Sequence, residues 1–199
     1  SDKSISIRCF LIGSISHNVS TAKNVLESQD VLSTIKCLKK LGVVIKRLSP
    51  GSYKIFGKGI GSFFTKNNTT LNFGNSGTLA RLLIGILSTT PGIQVKILGD
   101  VSLNKRNMRK LIDLMSNFGA TFYPKNKFTF PLKLFSSDIP IGINYNAGVS
   151  AQLKSAVILA GLNSYGSTKI FEISKSRDHT EKMLQKNTDV IKIIKGKKK

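Results

Sequence analysis

The side chains in this sequence best equipped for chemistry are cations and hydroxyls at the starts of apolar helices. In LNFGNSGTLARLLIGIL, residues 71 to 87, a strand-like opening breaks at Gly74-Asn75-Ser76-Gly77-Thr78 and gives way to a helix with almost no polar face, with Arg81 one turn in. A helix N-terminus offers unpaired N–H groups and a partial positive charge, and glycine lets a ligand approach that backbone, so the stretch has the makings of an anion site. Taken alone it is better explained as a capped core helix, with Asn75 or Ser76 as N-cap and Arg81 reaching solvent. It is not alone, however. DKSISIRCFLIGSI, from Asp2, sets Lys3, Ser4 and Arg8 at the start of an apolar run, and GVSAQLKSAVILAGL, from Gly148, does the same with Ser150 and Gln152.

These starts recur with a period. Lys3 to Asn75 is 72 residues and Asn75 to Val149 is 74. Between the apolar helices lies a second class with ordinary amphipathic spacing: Val31, Ile35, Leu38 and Leu41 in one, Met108, Leu111, Met115 and Phe118 in the next, and a third beginning at SRDHTEKML. Asp30 to Arg106 is 76 residues and Arg106 to Asp178 is 72, so both classes keep the same period. Gly42 and Gly119 close two of the amphipathic helices, where positive φ suits glycine. Strands are expected before these helices, in TAKNVLE, QVKILGD and STKIFEIS, and after them, in VVIKRLS with SYKIFGKG and ATFYP with FTFPLKLF. A unit of this order, repeated about every 73 residues, predicts a pseudo-threefold α/β domain with apolar helices in the centre and sheets around them.

The geometry that follows carries the functional expectation. Three such helices side by side bring their N-termini out at one end, and with them Lys3, Ser4 and Arg8, then Asn75, Gly77, Thr78 and Arg81, then Ser150 and Gln152. Loops before the amphipathic helices add Lys105, Arg106, Ser176 and Arg177, with Asp30 as a further candidate. Aligned dipoles, hydroxyls and cations suit a small, multiply anionic ligand. Three such starts in register are harder to explain as core packing than one.

Composition narrows the classes of function. The 199 residues are 40% hydrophobic, enough for one good core or two small ones. A net charge of +21 raises nucleic acid as a partner. The cations are 25 lysines and 6 arginines, scattered apart from the closing GKKK, whereas recognition of phosphates and base edges favours arginine. This Lys and Asn enrichment reads as compositional bias, and no nucleic-acid partner is expected. Cys9 and Cys37 are 28 residues apart, in no metal or redox spacing, and read as buried thiols in a reducing compartment. His17 and His179 are isolated and the 10 acidic residues thinly spread, so no metal site is expected. No apolar run approaches the ~18 residues of a membrane span, and SDKSISIR lacks a signal-peptide pattern, which predicts a soluble, cytoplasmic protein.

Taken in order, DKSISIR, LESQDV, LNFGNSGTLAR, GDVSLNKRNM, SAQLKSAVILAGL and SRDHTEKML resemble successive motifs of the 5-enolpyruvylshikimate-3-phosphate synthase family. The resemblance implies an enolpyruvyl transferase-like, inside-out α/β barrel running over residues 1–184 with an incomplete third repeat, and a degenerate lysine-rich tail over 185–199. It implies transfer of the enolpyruvyl group of phosphoenolpyruvate to the 5-hydroxyl of shikimate 3-phosphate, through a tetrahedral adduct, with no metal or organic cofactor. By motif, Lys3, Ser4, Arg8, Ser150, Ala151, Gln152 and Ser176 or Arg177 fall to shikimate 3-phosphate. Lys3, Asn75, Gly77, Arg106 and Gln152 fall to phosphoenolpyruvate, and Lys3 is the candidate for proton transfer. Ile7 stands where the family usually has His, and Asn107 where it has Pro; neither removes a ligand. The family also resembles two such domains flanking a cleft, the second supplying an Asp, a Glu and further cations, so this part is expected to be a monomer inactive by itself. Two alternatives differ in kind. A UDP-N-acetylglucosamine enolpyruvyl transferase would be expected to open on KNA rather than KSISIR, and an RNA-binding or RNA-end-processing domain of related fold would use the positive charge.

Overall fold

The computed structural model describes residues 2–66, 68–186 and 190–194. The three apolar segments form α1 (Lys3–Ile15), α3 (Gly77–Ser88) and α6 (Ala151–Gly161). Each starts at a side chain that accepts a hydrogen bond from the backbone three residues on. Asp2 Oδ1 accepts from Ile5 N–H at 2.8 Å, Ser76 Oγ from Leu79 N–H at 3.2 Å, and Ser150 Oγ from Leu153 N–H at 3.3 Å. The caps stand 74 residues apart in both intervals. Each contributes roughly 1 kcal/mol and fixes where the first turn begins, and so where the polar residues beside it sit.

Every residue of α3 except Arg81 is buried. Enclosing Leu79, Leu82, Leu83 and Leu87 stabilises the fold by about 1.5–3 kcal/mol apiece. The helix packs chiefly on α6 and also touches α1. The approach to α6 is close because of Gly85, where a Cβ would stand 2.6 Å from the Ala156 carbonyl oxygen. The amphipathic helices α2 (Gln29–Lys40) and α5 (Arg109–Asn117) bury the expected stripes, Val31, Ile35, Leu38 and Leu41 and Met108, Leu111, Met115 and Phe118. Both are followed by a glycine in the left-handed region, Gly42 at φ +86° and Gly119 at φ +98°. The third amphipathic helix, α7 (His179–Gln185), buries Thr180, Glu181 and Leu184.

Three sheets accompany the helices. β1 (Val19–Ala22), β2 (Val44–Ser49) and β3 (Ser52–Phe56) form an antiparallel sheet in the order β1-β3-β2. β4 (Thr70–Asn72), β5 (Gln94–Leu98), β6 (Thr121–Tyr123) and β7 (Leu132–Phe135) form the second, β4-β5-β7-β6, with β4 and β5 parallel and the other pairs antiparallel. β8 (Asn144–Ala147) and β9 (Lys169–Glu172) make a parallel pair. Strand alternation does the positioning: in β5, Val95 and Ile97 enter the core while Gln94 and Lys96 face water. Among the described residues the sheets are separate and do not close into a hydrogen-bonded barrel.

The structure adds two elements to those expected, β8 and the single turn α4 (Val101–Asn104), which Asp100 caps by accepting from Leu103 N–H at 2.7 Å. Cys37 is buried and its thiol is pushed up to about 12 by burial. Cys9, expected to be buried as well, is only half-buried. Residues 190–194 have no regular structure, and the lysine-rich close falls in 195–199, outside the described residues. Among those described, no helix is long and apolar enough to cross a membrane.

Candidate functional site

First-turn residues of α1, α3 and α6 meet around one cavity of about 460 Å³. Lys3, Asn75, Gly77, Arg106 and Gln152 line it, joined by Asp30, Thr78 and Arg81. The helix starts are tied to one another directly. Gln152 Nε2 donates to Thr78 Oγ1 at 3.0 Å, and Gln152 Oε1 accepts from Arg81 Nη1 at 2.9 Å. Arg81 therefore does not simply reach solvent: Nη1 also donates to the Gly77 carbonyl at 3.1 Å, and burial, with Arg106 nearby, lowers its pKa.

Arg106 is exposed and is aimed by Asn75, whose Oδ1 accepts from Nη2 at 2.6 Å. Gly77 lies between the two guanidiniums: a Cβ there would stand 2.8 Å from Arg81 Nη1 and 3.0 Å from Arg106 Nη1. Across the cavity Lys3 Nζ pairs with Asp30 Oδ2 at 3.0 Å, with 49% and 17% of their side chains exposed. Neither Arg81 nor Arg106 makes an ion pair with a carboxylate among the described residues. Two unneutralised guanidiniums at the start of a buried helix form a strongly electropositive pocket.

The remaining expected residues gather elsewhere. Arg8 is buried, 4% exposed, and its Nε donates to Thr180 Oγ1 at 2.8 Å, its Nη2 to Ser155 Oγ at 3.2 Å and its Nη1 to the Ser4 carbonyl at 3.0 Å. Thr180 passes the chain on, donating to Ser155 Oγ at 2.8 Å, and Ser155 donates to the Ala151 carbonyl at 2.8 Å. Burial lowers the Arg8 pKa, Glu181 works against that, and Arg177 adds to it. Arg177 is exposed and close enough to act electrostatically on both Arg8 and Asp2. Ser176 donates its N–H and its hydroxyl to Glu172 Oε1, both at 2.7 Å. Ser150 and Ala151 are half-buried at the start of α6, where Ser150 serves as the cap.

So α1 and α6 each serve two clusters. Lys3 and Gln152 face the cavity, whereas Arg8 and Ser155 belong to the neighbouring polar cluster. Sequence reasoning finds the arginine but misses Ser155 and Thr180 as its partners. The signal for Thr180 was present in SRDHTEKML; that for Ser155 was hidden in a helix that reads as apolar throughout.

A repeated α/β fold that converges helix N-termini, and guanidiniums with no carboxylate partner among the described residues, on a small cavity defines a class of domains with an electropositive pocket at the helix starts. The chain belongs to the EPSP synthase (3-phosphoshikimate 1-carboxyvinyltransferase) family, whose family model matches residues 1–198. It is 42% identical over 185 residues to the 3-phosphoshikimate 1-carboxyvinyltransferase of Paramagnetospirillum magneticum, covering 92% of this chain and 41% of that protein. To the same enzyme of Jannaschia sp. it is 40% identical over 184 residues, covering 92% and 40%. A solved EPSP synthase from Acinetobacter baumannii superposes with a TM-score of 0.85 at 35% identity, over 92% of this chain and 41% of that one. The chain thus spans about two-fifths of the length of the curated relatives it matches.

Proposed function

We propose that this chain forms the substrate-gathering half of an enzyme that transfers the enolpyruvyl group of phosphoenolpyruvate to the 5-hydroxyl of shikimate 3-phosphate and releases inorganic phosphate. The observation that carries the reading is the convergence of Lys3, Gly77, Arg106 and Gln152, from three separate repeats, on one cavity. Its volume suits a small metabolite. Arg106 and the α3 N-terminus take the phosphate and carboxylate of phosphoenolpyruvate, with Asn75 aiming the guanidinium and Gly77 leaving the backbone N–H groups accessible. Ser4, Arg8, Ser150, Ala151, Gln152, Ser176 and Arg177 hold shikimate 3-phosphate on the adjoining side.

In the reaction, the 5-hydroxyl gives its proton to a base as its oxygen bonds to C2 of phosphoenolpyruvate, and the C2–C3 double bond opens to take a proton at C3. The tetrahedral adduct then loses a C3 proton to a base and expels phosphate, which restores the double bond, so no net electron change occurs. Lys3, reached by both ligands and able to donate or accept one proton, is the group on this chain for proton transfer. A second domain, with an Asp, a Glu and further cations, completes the constellation and closes over the ligands. Neither metal nor organic cofactor has a step to perform, and the setting is the cytoplasm.

Mixing the purified chain with both substrates tests this. Shikimate 3-phosphate binding is expected by calorimetry, with no phosphate release above background. Turnover near that of an intact synthase, or no binding at all, would overturn the assignment.

A further inference from the structure

α6 carries one lysine that its apolar character does not explain. The Lys154 side chain is 3% exposed, and its ammonium pairs with Glu172 Oε1 at 2.8 Å and Glu181 Oε1 at 2.6 Å. Glu172 closes β9 and Glu181 lies in the first turn of α7, so one cation on α6 holds both ends of the segment that carries Ser176 and Arg177. Glu172 Oε1 also takes both donors of Ser176, which fixes the middle of that segment. The next residue on each helix repeats the tie through hydroxyls: Ser155 follows Lys154, Thr180 precedes Glu181, and these two bond each other and Arg8. Burial opposes the Lys154 charge, but its bonds to Glu172 and Glu181 outweigh burial and raise its pKa. Among the described residues Lys154 pairs with both carboxylates, and Arg177 and Lys175 are left as exposed cations of this segment without an ion pair.

We infer that Lys154 is a positioning residue for the polar cluster beside the cavity: by clasping Glu172 and Glu181 it fixes where Ser176, Arg177 and Arg8 meet a phosphorylated ligand. The inference rests on the proposed reading only for the identity of that ligand. Removing the lysine alone strands two carboxylates, so the informative variant is the double change Lys154→Met with Glu181→Gln, which keeps side-chain size and leaves Glu172, 28% exposed, to water.

The double variant and the parent chain are compared by calorimetry and by limited trypsin digestion after Lys175 and Arg177, with a melting curve to establish that both are folded. Cleavage is expected to accelerate at least tenfold. Shikimate 3-phosphate affinity is expected to fall at least tenfold, while that for phosphoenolpyruvate changes less than twofold, a selectivity that a merely structural role would not produce. Unchanged cleavage, or equal loss for both ligands, overturns the inference. Accelerated cleavage in a system whose parent chain binds no shikimate 3-phosphate upholds the clasp and removes the substrate assignment instead.

Discussion

Arg81 and Arg106 stand at the cavity without a carboxylate partner, whereas Arg8 and Lys154, in the neighbouring cluster, are buried against hydroxyls and two glutamates. Both regions are built from cations beside helix starts, and a sequence pattern alone treats them alike. Their electrostatics differ in kind. In the cavity the guanidiniums have no carboxylate partner among the described residues, and in the cluster Lys154 is neutralised by two carboxylates while Arg177 stays unpaired. A basic residue near a helix start is therefore informative about binding only when its counterion is known. Arg8 illustrates the intermediate case, with three of its N–H groups already engaged within the chain.

Substitutions should separate the two regions most clearly through stability. Lys154→Met leaves two carboxylates facing an apolar side chain, and a loss of about 3–5 kcal/mol is expected in urea unfolding, enough to endanger the fold. A loss under about 1 kcal/mol would mean that the cluster is as wet as the cavity and would erase the contrast.

Acid should act next, on the cluster through Glu172 and outside both regions through Glu27, whose carboxyl is held down to about 2 by its bonds from Arg47, Tyr53 and Gly51. Burial raises the Glu172 pKa, but bonds from Lys154 and Ser176 outweigh it and hold the carboxyl below its usual range. A depressed carboxylate contributes stability that is complete above its unfolded pKa of about 4.3 and is lost as pH falls through the folded value. Unfolding free energies measured from pH 7 down to pH 3 should decline below about pH 5, and the Lys154→Met, Glu181→Gln pair should flatten that limb. An acid limb of the same steepness in both proteins would detach the effect from the clasp.

The smallest effect on stability is expected at Arg106→Gln. Its side chain is exposed and hydrogen-bonded to Asn75 alone, so unfolding should shift by no more than about 0.5 kcal/mol. Phosphoenolpyruvate binding should nevertheless weaken at least tenfold by calorimetry, and retention of full affinity would remove Arg106 from the cavity's work.

Much of this arrangement is legible in the residues themselves, because helix starts and apolar periodicity are local signals. The order of helices, the stripes of α2 and α5, and the convergence of Lys3, Gly77 and Gln152 all follow from the period. The cap of α3 is legible only as a choice, and the geometry selects Ser76 over Asn75. What the sequence conceals is pairing across long separations. Arg8 and Thr180 are 172 residues apart, and nothing near either announces the other. Lys154 looks like a polar interruption of an apolar helix until the fold supplies Glu172 and Glu181. α4 escapes notice for the opposite reason: four residues are too few to establish a periodicity, and only the Asp100 cap marks them.

The contact at Gly85 has a mechanical consequence. With the α3 backbone laid against Ala156 and Gln152 bonded to both Thr78 and Arg81, the α3 and α6 sides of the cavity behave as one stiff jaw. Give as a ligand settles comes more easily from the exposed Arg106 side chain, held by Asn75, and from the opposite side, where Lys3 is held by a single half-wet pairing with Asp30. Under the proposed function an entering anion competes for that ammonium and draws it inward without disturbing a packed layer, so part of the adaptation falls on the side chain proposed to move protons.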